Sequence, residues 1–243
     1  MDTLTIELVT RYISVGGSII DQLGKEGTPT NLPQHYIENR INRDKTEHHH
    51  ITFANHLELK ELLKKKEIPK KNQREELKKL IQELIKTFGQ PTTWEKPVDL
   101  GLGCLKESRK NRSYFRVIYW PFGQKLRKHL GLNPTYFHIT IGFNPSDIHS
   151  YKGPATLKGL RSKRKPISTE RLTMLSHIAK DYTHDIEFLE HLLRLCKLND
   201  MEILADSWRH YVKEADKRFT SVKKKRNRSE DKKVNGDIRA QVK

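Results

Sequence analysis

Apolar and polar positions change rhythm several times along the chain, and each rhythm predicts an element. Residues 3–9 alternate enough for a strand, and Ser14-Val15-Gly16-Gly17-Ser18 then reads as a flexible turn. Residues 24–34, with Gly24, Gly27, Pro29 and Pro33, read as a loop, and residues 39–47 as a polar segment leading into a short apolar strand that ends near Phe53. A short helix is expected over 57–66, stopped ahead of Pro69 because proline disfavours the helical conformation in its predecessor and lacks an N–H. A stronger helix is expected over 73–88, where Leu77, Leu80, Ile81, Leu84, Ile85 and Phe88 recur at helical spacing and Gly89 stands at the C-cap.

From Val98 the period shortens. Residues 98–105 and 113–120 suit strands, with the polar run 107–112 between them as a hairpin connection. A short helix over 123–130 closes at Gly131, and a further strand follows over 136–143. Beyond Ser150 a basic, Gly- and Pro-containing linker (151–166) precedes three expected helices, 172–182, 186–198 and 201–219. The last of these carries the stripe Leu204, Trp208, Tyr211, Val212, Ala215 and Phe219. Residues 220–243 are charged and nearly free of large apolar side chains, which predicts disorder. The expected organisation is thus a mixed domain over 1–160, a helical appendage over 166–219 and a basic tail over 220–243.

Composition narrows the class. The 243 residues can bury a full core. No apolar run approaches the length of a membrane span and the N-terminus lacks a secretory pattern, so an intracellular protein without a membrane partner is expected. Two cysteines, Cys104 and Cys196, read as buried thiols rather than a disulfide framework or zinc site. The net charge is +17, and the tail supplies nine Lys/Arg against three Asp/Glu, which leaves +11 on the rest. That balance points to a polyanionic partner, with RNA or DNA ahead of an anionic membrane.

The candidate chemistry lies in one tripeptide that occurs twice, His50-Ile51-Thr52 and His138-Ile139-Thr140, both in strand-like settings. Residues i and i+2 of a strand share a face, so each copy presents an imidazole and a hydroxyl together. With 12 His and 29 Ser plus Thr, one or two His-x-Ser/Thr matches arise by chance. The weight therefore rests on the identity of all three residues and on the apolar neighbours Phe53, Tyr136, Phe137, Ile141 and Phe143. If both strands face one cleft, one imidazole can take a proton from water and the other can give one to a departing oxygen, while Thr52 and Thr140 donate to non-bridging phosphate oxygens. Such a site needs no metal or cofactor. His48 shares the strand face of His50, and either lines the cleft or lies in solvent at the strand end.

With these residues the chain resembles the two-histidine (2H) phosphoesterase superfamily. The stretches Leu32-Pro33-Gln34-His35-Tyr36, Arg40 to Asp44, Arg116 to Pro121, and Phe137 to Phe143 through Lys152-Gly153 resemble its Swiss Army Knife, RNA-repair-like branch. The resemblance spans about residues 10 to 160, with one departure: His49 precedes the first motif where the family has an apolar residue. It implies an α+β, bilobed fold of two antiparallel sheets with flanking helices, related by a pseudo-twofold axis with one His-x-Thr per lobe. It also implies action on 2′,3′-cyclic phosphate ends of RNA or on related cyclic phosphodiesters.

Around the central four residues, Arg116, Arg127 and Lys152 are candidates for gripping the substrate backbone, and Tyr119 and Tyr136 for stacking on a base. The expected activity is a metal-independent phosphodiesterase acting on RNA 3′ ends, working alone or beside separate RNA kinase and ligase proteins. Rival readings are a 3′ exonuclease, a cyclic ADP-ribose phosphate hydrolase, and a noncatalytic RNA-binding or scaffold protein. The basic run 222–228 resembles a nuclear-import signal, and reads equally as an RNA-binding arm or a solvated tail.

Overall fold

A computed structural model describes residues 2–108, 110–161 and 167–215. The chain divides into two compact units with the boundary after Arg164. The first unit is built on six antiparallel strands: β1 (Thr5–Val9), β2 (Tyr12–Gly16), β3 (Ile51–Ala54), β4 (Val98–Lys106), β5 (Arg112–Tyr119) and β6 (Phe137–Asn144). Their order in the sheet is β1-β2-β3-β6-β5-β4.

That order contains an internal duplication. A hairpin, a helical crossing and a third strand occur first as β1-β2, α1 (Ser18–Glu26) with α2 (Gln34–Asp44), and β3; they recur as β4-β5, α5 (Pro121–His129) and β6. The two antiparallel sheets implied by the resemblance are the halves of this arrangement, and they join edge to edge through β3 and β6 into one sheet. Between the halves run α3 (His56–Lys65) and α4 (Gln73–Phe88). Asn55 caps α3 through a reciprocal pair of bonds with Glu58, and Leu77, Leu80 and Leu84 of α4 are buried as their spacing predicts.

One sheet face carries the main core. Ile51, Phe53, Phe137, Ile139 and Ile141 are all at most 1 % exposed, so the alternate residues of β3 and β6 are forced to the other face. The first unit closes with the short helix α6 (Lys158–Arg161). The second unit holds α7 (Thr169–Ile178), α8 (Ile186–Leu198) and 3₁₀ turns at Ala179–Tyr182 and Glu202–Ala205, and its buried residues include Leu175, Phe188, Leu192 and Trp208. No helix among the described residues is long and apolar enough to cross a membrane.

Four expectations need correcting. The presumed flexible turn at 14–18 is mostly β2, because Ile13 and Val15 are fully buried and only Gly17, at φ +107°, turns the chain. The loop expected from residue 24 begins after Glu26, since α1 continues through Gly24, where the His49 ring lies 2.4 Å from the place of a Cβ. The polar segment 39–47 is in large part α2, whose polar side chains make tertiary bonds, among them Asn39 Nδ2 donating to the Phe143 carbonyl at 3.0 Å. The single helix expected over 201–219 is instead a 3₁₀ turn, a further turn over 206–208 and a helix that starts at residue 209. Its portion beyond residue 215 and the tail 220–243 lie outside the described residues, as does part of the linker.

Candidate functional site

The register at the centre of the sheet arranges the site. Ile51 pairs with Ile139, so in this antiparallel ladder one step either way sets His50 across from Thr140 and Thr52 across from His138. The two central isoleucines point into the core, and the four polar side chains share the opposite face. Directly opposed side chains start about 5 Å apart and diagonal ones about 7–8 Å, which leaves the two imidazoles room to close on one small tetrahedral group. All four line a single cleft of about 240 Å³.

The duplication extends to local irregularities. On β3 the register against β2 slips between Thr52 and Ala54, and on β6 the register against β5 slips between Thr140 and Gly142. Each strand thus carries an extra residue immediately after its threonine. Such bulges sharpen twist and re-aim side chains, and here they act on both halves at equivalent places.

An aromatic ring flanks each imidazole: Tyr12 lies 5.7 Å from the His50 ring and Phe115 lies 5.8 Å from that of His138. Burial lowers the pKa of both. For His50 the Asp44 carboxylate opposes the shift, followed in size by the Arg43 and Arg40 cations that favour it. For His138, burial and then the Lys152 ammonium push the value down to about 3, against a backbone bond to Tyr136 and the Asp147 charge. Both shifts favour the neutral form of the ring at neutral pH.

One wall of the cleft is an ion cluster. The Lys152 ammonium donates to both Asp147 oxygens at 2.8 and 3.0 Å, and Arg43 Nη1 donates to Asp147 Oδ2 at 2.6 Å. Burial alone would raise the Asp147 carboxyl, but Lys152 and Arg43 carry it down to about 2. Lys152 is itself only 3 % exposed and stands over the Phe115 ring. Asn55, Glu58, Thr135 and Tyr136 line the cleft as well, and the Tyr136 ring is braced edge-on by Tyr151 at 4.7 Å.

Of the residues singled out from sequence, His50, Thr52, His138, Thr140, Tyr136 and Lys152 meet at this cleft. Three others do not. Arg116 pairs in register with Ile139, so its side chain leaves on the opposite face, where it binds Asp99 and donates to the Gly27 carbonyl. Arg127 is 1 % exposed and its guanidinium is taken up by Glu58 and the Phe53 and Asn133 carbonyls. Tyr119, at the end of β5, is absent from the lining. His48 points to solvent and pairs with Asp21 at 2.6 Å. Arg43, Asp147 and His149 line the cleft without having been assigned a role from sequence. Asp147 and His149 follow β6 in an irregular stretch, and the only signal for them was the continuation of the family-like segment from Phe143 to Lys152.

A sheet with two matched halves and one His-x-Thr from each at a shared cleft is the arrangement of a two-histidine phosphoesterase. The family model described as Swiss Army Knife, 2H phosphoesterase domain matches residues 11–149, more than half of the chain, and the protein belongs to this family. Comparison with curated proteins and with solved structures yields no match.

Proposed function

We propose that the protein is a metal-independent phosphodiesterase that hydrolyses the 2′,3′-cyclic phosphate at RNA ends. The observation that carries this reading is the Ile51–Ile139 pairing, which makes the two His-Ile-Thr copies a symmetric cradle for one phosphorus. The cyclic diester anion enters between the imidazoles, and its charge raises the proton affinity of both, so that one can become imidazolium. The neutral imidazole takes a proton from water as the water oxygen bonds to phosphorus. The imidazolium gives its proton to the ribose oxygen as the P–O bond breaks, leaving a monoester. Thr52 and Thr140 donate to the non-bridging oxygens as their charge grows.

In this reading His138, which shares the cleft wall with the Lys152 cation, takes the base role, and His50, on which Asp44 acts against Arg43 and Arg40, takes the acid role. Lys152 and Arg43 flank the phosphate, with Asp147 fixing them, and Tyr136 offers a ring to the terminal base. The net positive charge favours a polymeric RNA over a free nucleotide.

The test is an oligoribonucleotide ending in a 2′,3′-cyclic phosphate, incubated with the protein in the presence of a chelator. A product one water heavier and sensitive to phosphatase is expected. Tight binding without turnover marks a binding module instead, shortening of the chain marks an exonuclease, and activity only on restoring a divalent ion contradicts the metal-free mechanism.

A further inference from the structure

We infer that Arg40 and Arg127 are a matched pair of positioning residues that fix the angle at which the two histidines enter the cleft; this rests on reading His50 and His138 as the acid–base pair. Both arginines are buried, at 2 % and 1 % exposure. A buried guanidinium is costly unless its donors are satisfied, so what these donors meet indicates what the charge is for. Among the described residues Arg40 has only a distant ion pair, with Asp44 at 4.0 Å, and its Nε makes no hydrogen bond. Its two terminal nitrogens instead donate to three successive carbonyls: Nη1 to Thr46 and His48 at 3.3 and 2.9 Å, and Nη2 to Glu47 at 3.0 Å. Those carbonyls belong to the segment that delivers His50.

Arg127 grips the approach to the second motif in the other half, with a close Glu58 carboxylate that Arg40 lacks among the described residues. It is eleven residues ahead of His138, as Arg40 is ten ahead of His50, and each lies near the end of the helix that precedes its strand. Each reaches six residues forward, Arg40 to the Thr46 carbonyl and Arg127 to that of Asn133, the latter through Nε at 2.9 Å and Nη2 at 2.5 Å. Arg127 Nη1 also donates to the carbonyl of Phe53, the residue directly after Thr52, and Nη2 to Glu58. One side chain therefore ties the exit of the first motif to the approach of the second. A planar fork with several fixed donors can hold such separate carbonyls at set angles, and a lysine ammonium cannot. Since a displacement of ~1 Å at the reacting groups can cost about 100-fold in rate, small rotations of either approach segment are felt in catalysis.

The experiment compares R40K and R127K with wild type as full chains. On the cyclic-phosphate oligoribonucleotide, kcat is expected to fall about 10- to 100-fold with KM within about threefold, because ground-state binding is retained. Imidazole ¹H–¹⁵N spectra, which need no turnover, are expected to show the His50 ring shifted by R40K with His138 unmoved, and both rings shifted by R127K. Variants with a lower melting temperature but with wild-type ring resonances and wild-type kcat overturn the inference. If wild type opens no cyclic phosphate, the functional reading fails and the imidazole spectra still decide the clamp. Should a variant not fold, the wild-type guanidinium resonances decide: resolved, slowly exchanging Nη–H signals are expected for Arg40 and Arg127, and rotationally averaged ones overturn it.

Discussion

His50 and His138 occupy equivalent places in the ladder with different charged neighbours: Asp44, Arg43 and Arg40 act on His50, and Lys152 and Asp147 on His138. If His50 is the acid, H50N should lose about 10²- to 10⁴-fold on a ribose cyclic phosphate, but much less on an aryl phosphodiester whose phenolate departs without a proton. H138N should lose on both, and steady-state rates with the two substrates separate the roles; equal losses would reject the division. His49 is a different case, a departure from the family pattern with a structural cost. Its side chain is 7 % exposed, its Nδ1 lies 3.7 Å from Asp21 and makes no hydrogen bond among the described residues, and burial followed by Arg40 lowers its pKa to about 4. An unfolded chain protonates this imidazole near pH 6.5, so between about 6.5 and 4 the unfolded state binds more protons. Stability contributed above 6.5 is then lost as pH falls, by up to ~1.4 kcal/mol per pH unit. Urea midpoints of H49L are expected to fall less between pH 7 and pH 5 than those of wild type.

At the scale of elements, legibility followed where each side chain's polarity is used. Helices α4 and α8 were readable because their apolar residues face the core and their charged ones face water, and strands β4, β5 and β6 because their apolar and aromatic residues cluster at strand spacing between turn-forming segments. Helix α2 was not, because Asn39, Arg40 and Arg43 spend their polar groups inside the fold on Phe143, on the approach to His50 and on Asp147. The stripe over 201–219 misled in another way: Trp208 and Val212 are buried as expected, but a turn over 206–208 interrupts the helix between the 3₁₀ turn and residue 209. The site was legible where it repeats, in the two His-Ile-Thr copies, and silent where irregular segments bring in Asp147 and His149. One close approach makes α2 part of that site. A Cβ on Gly142 of β6 would meet the Tyr36 carbonyl oxygen at 2.7 Å, a backbone atom with little freedom to move. G142A is expected to destabilise by ~1–3 kcal/mol in urea unfolding. Because α2 also carries Arg40 and Arg43, its kcat should fall under conditions where the variant remains fully folded.

For the whole molecule, charge separates a polymer-reading enzyme from one that opens small cyclic phosphates. The cleft accounts for little of the +17, since Lys152 and Arg43 are matched there by Asp147 and Asp44. The excess therefore has little to offer a mononucleotide, but an RNA strand extending from the cleft can meet it and release counterions. Salt should then lower kcat/KM steeply for a cyclic-phosphate-ended oligoribonucleotide and hardly at all for a nucleoside cyclic phosphate. Residues 220–243 contribute a net +6. If all of it meets phosphates, removing the tail should reduce the log–log salt slope by up to about 4, at roughly 0.7 per neutralised phosphate of a single strand. A reduction near zero places the salt-sensitive contacts within the remaining +11, and equal salt slopes for oligonucleotide and mononucleotide make small cyclic phosphates the substrate class.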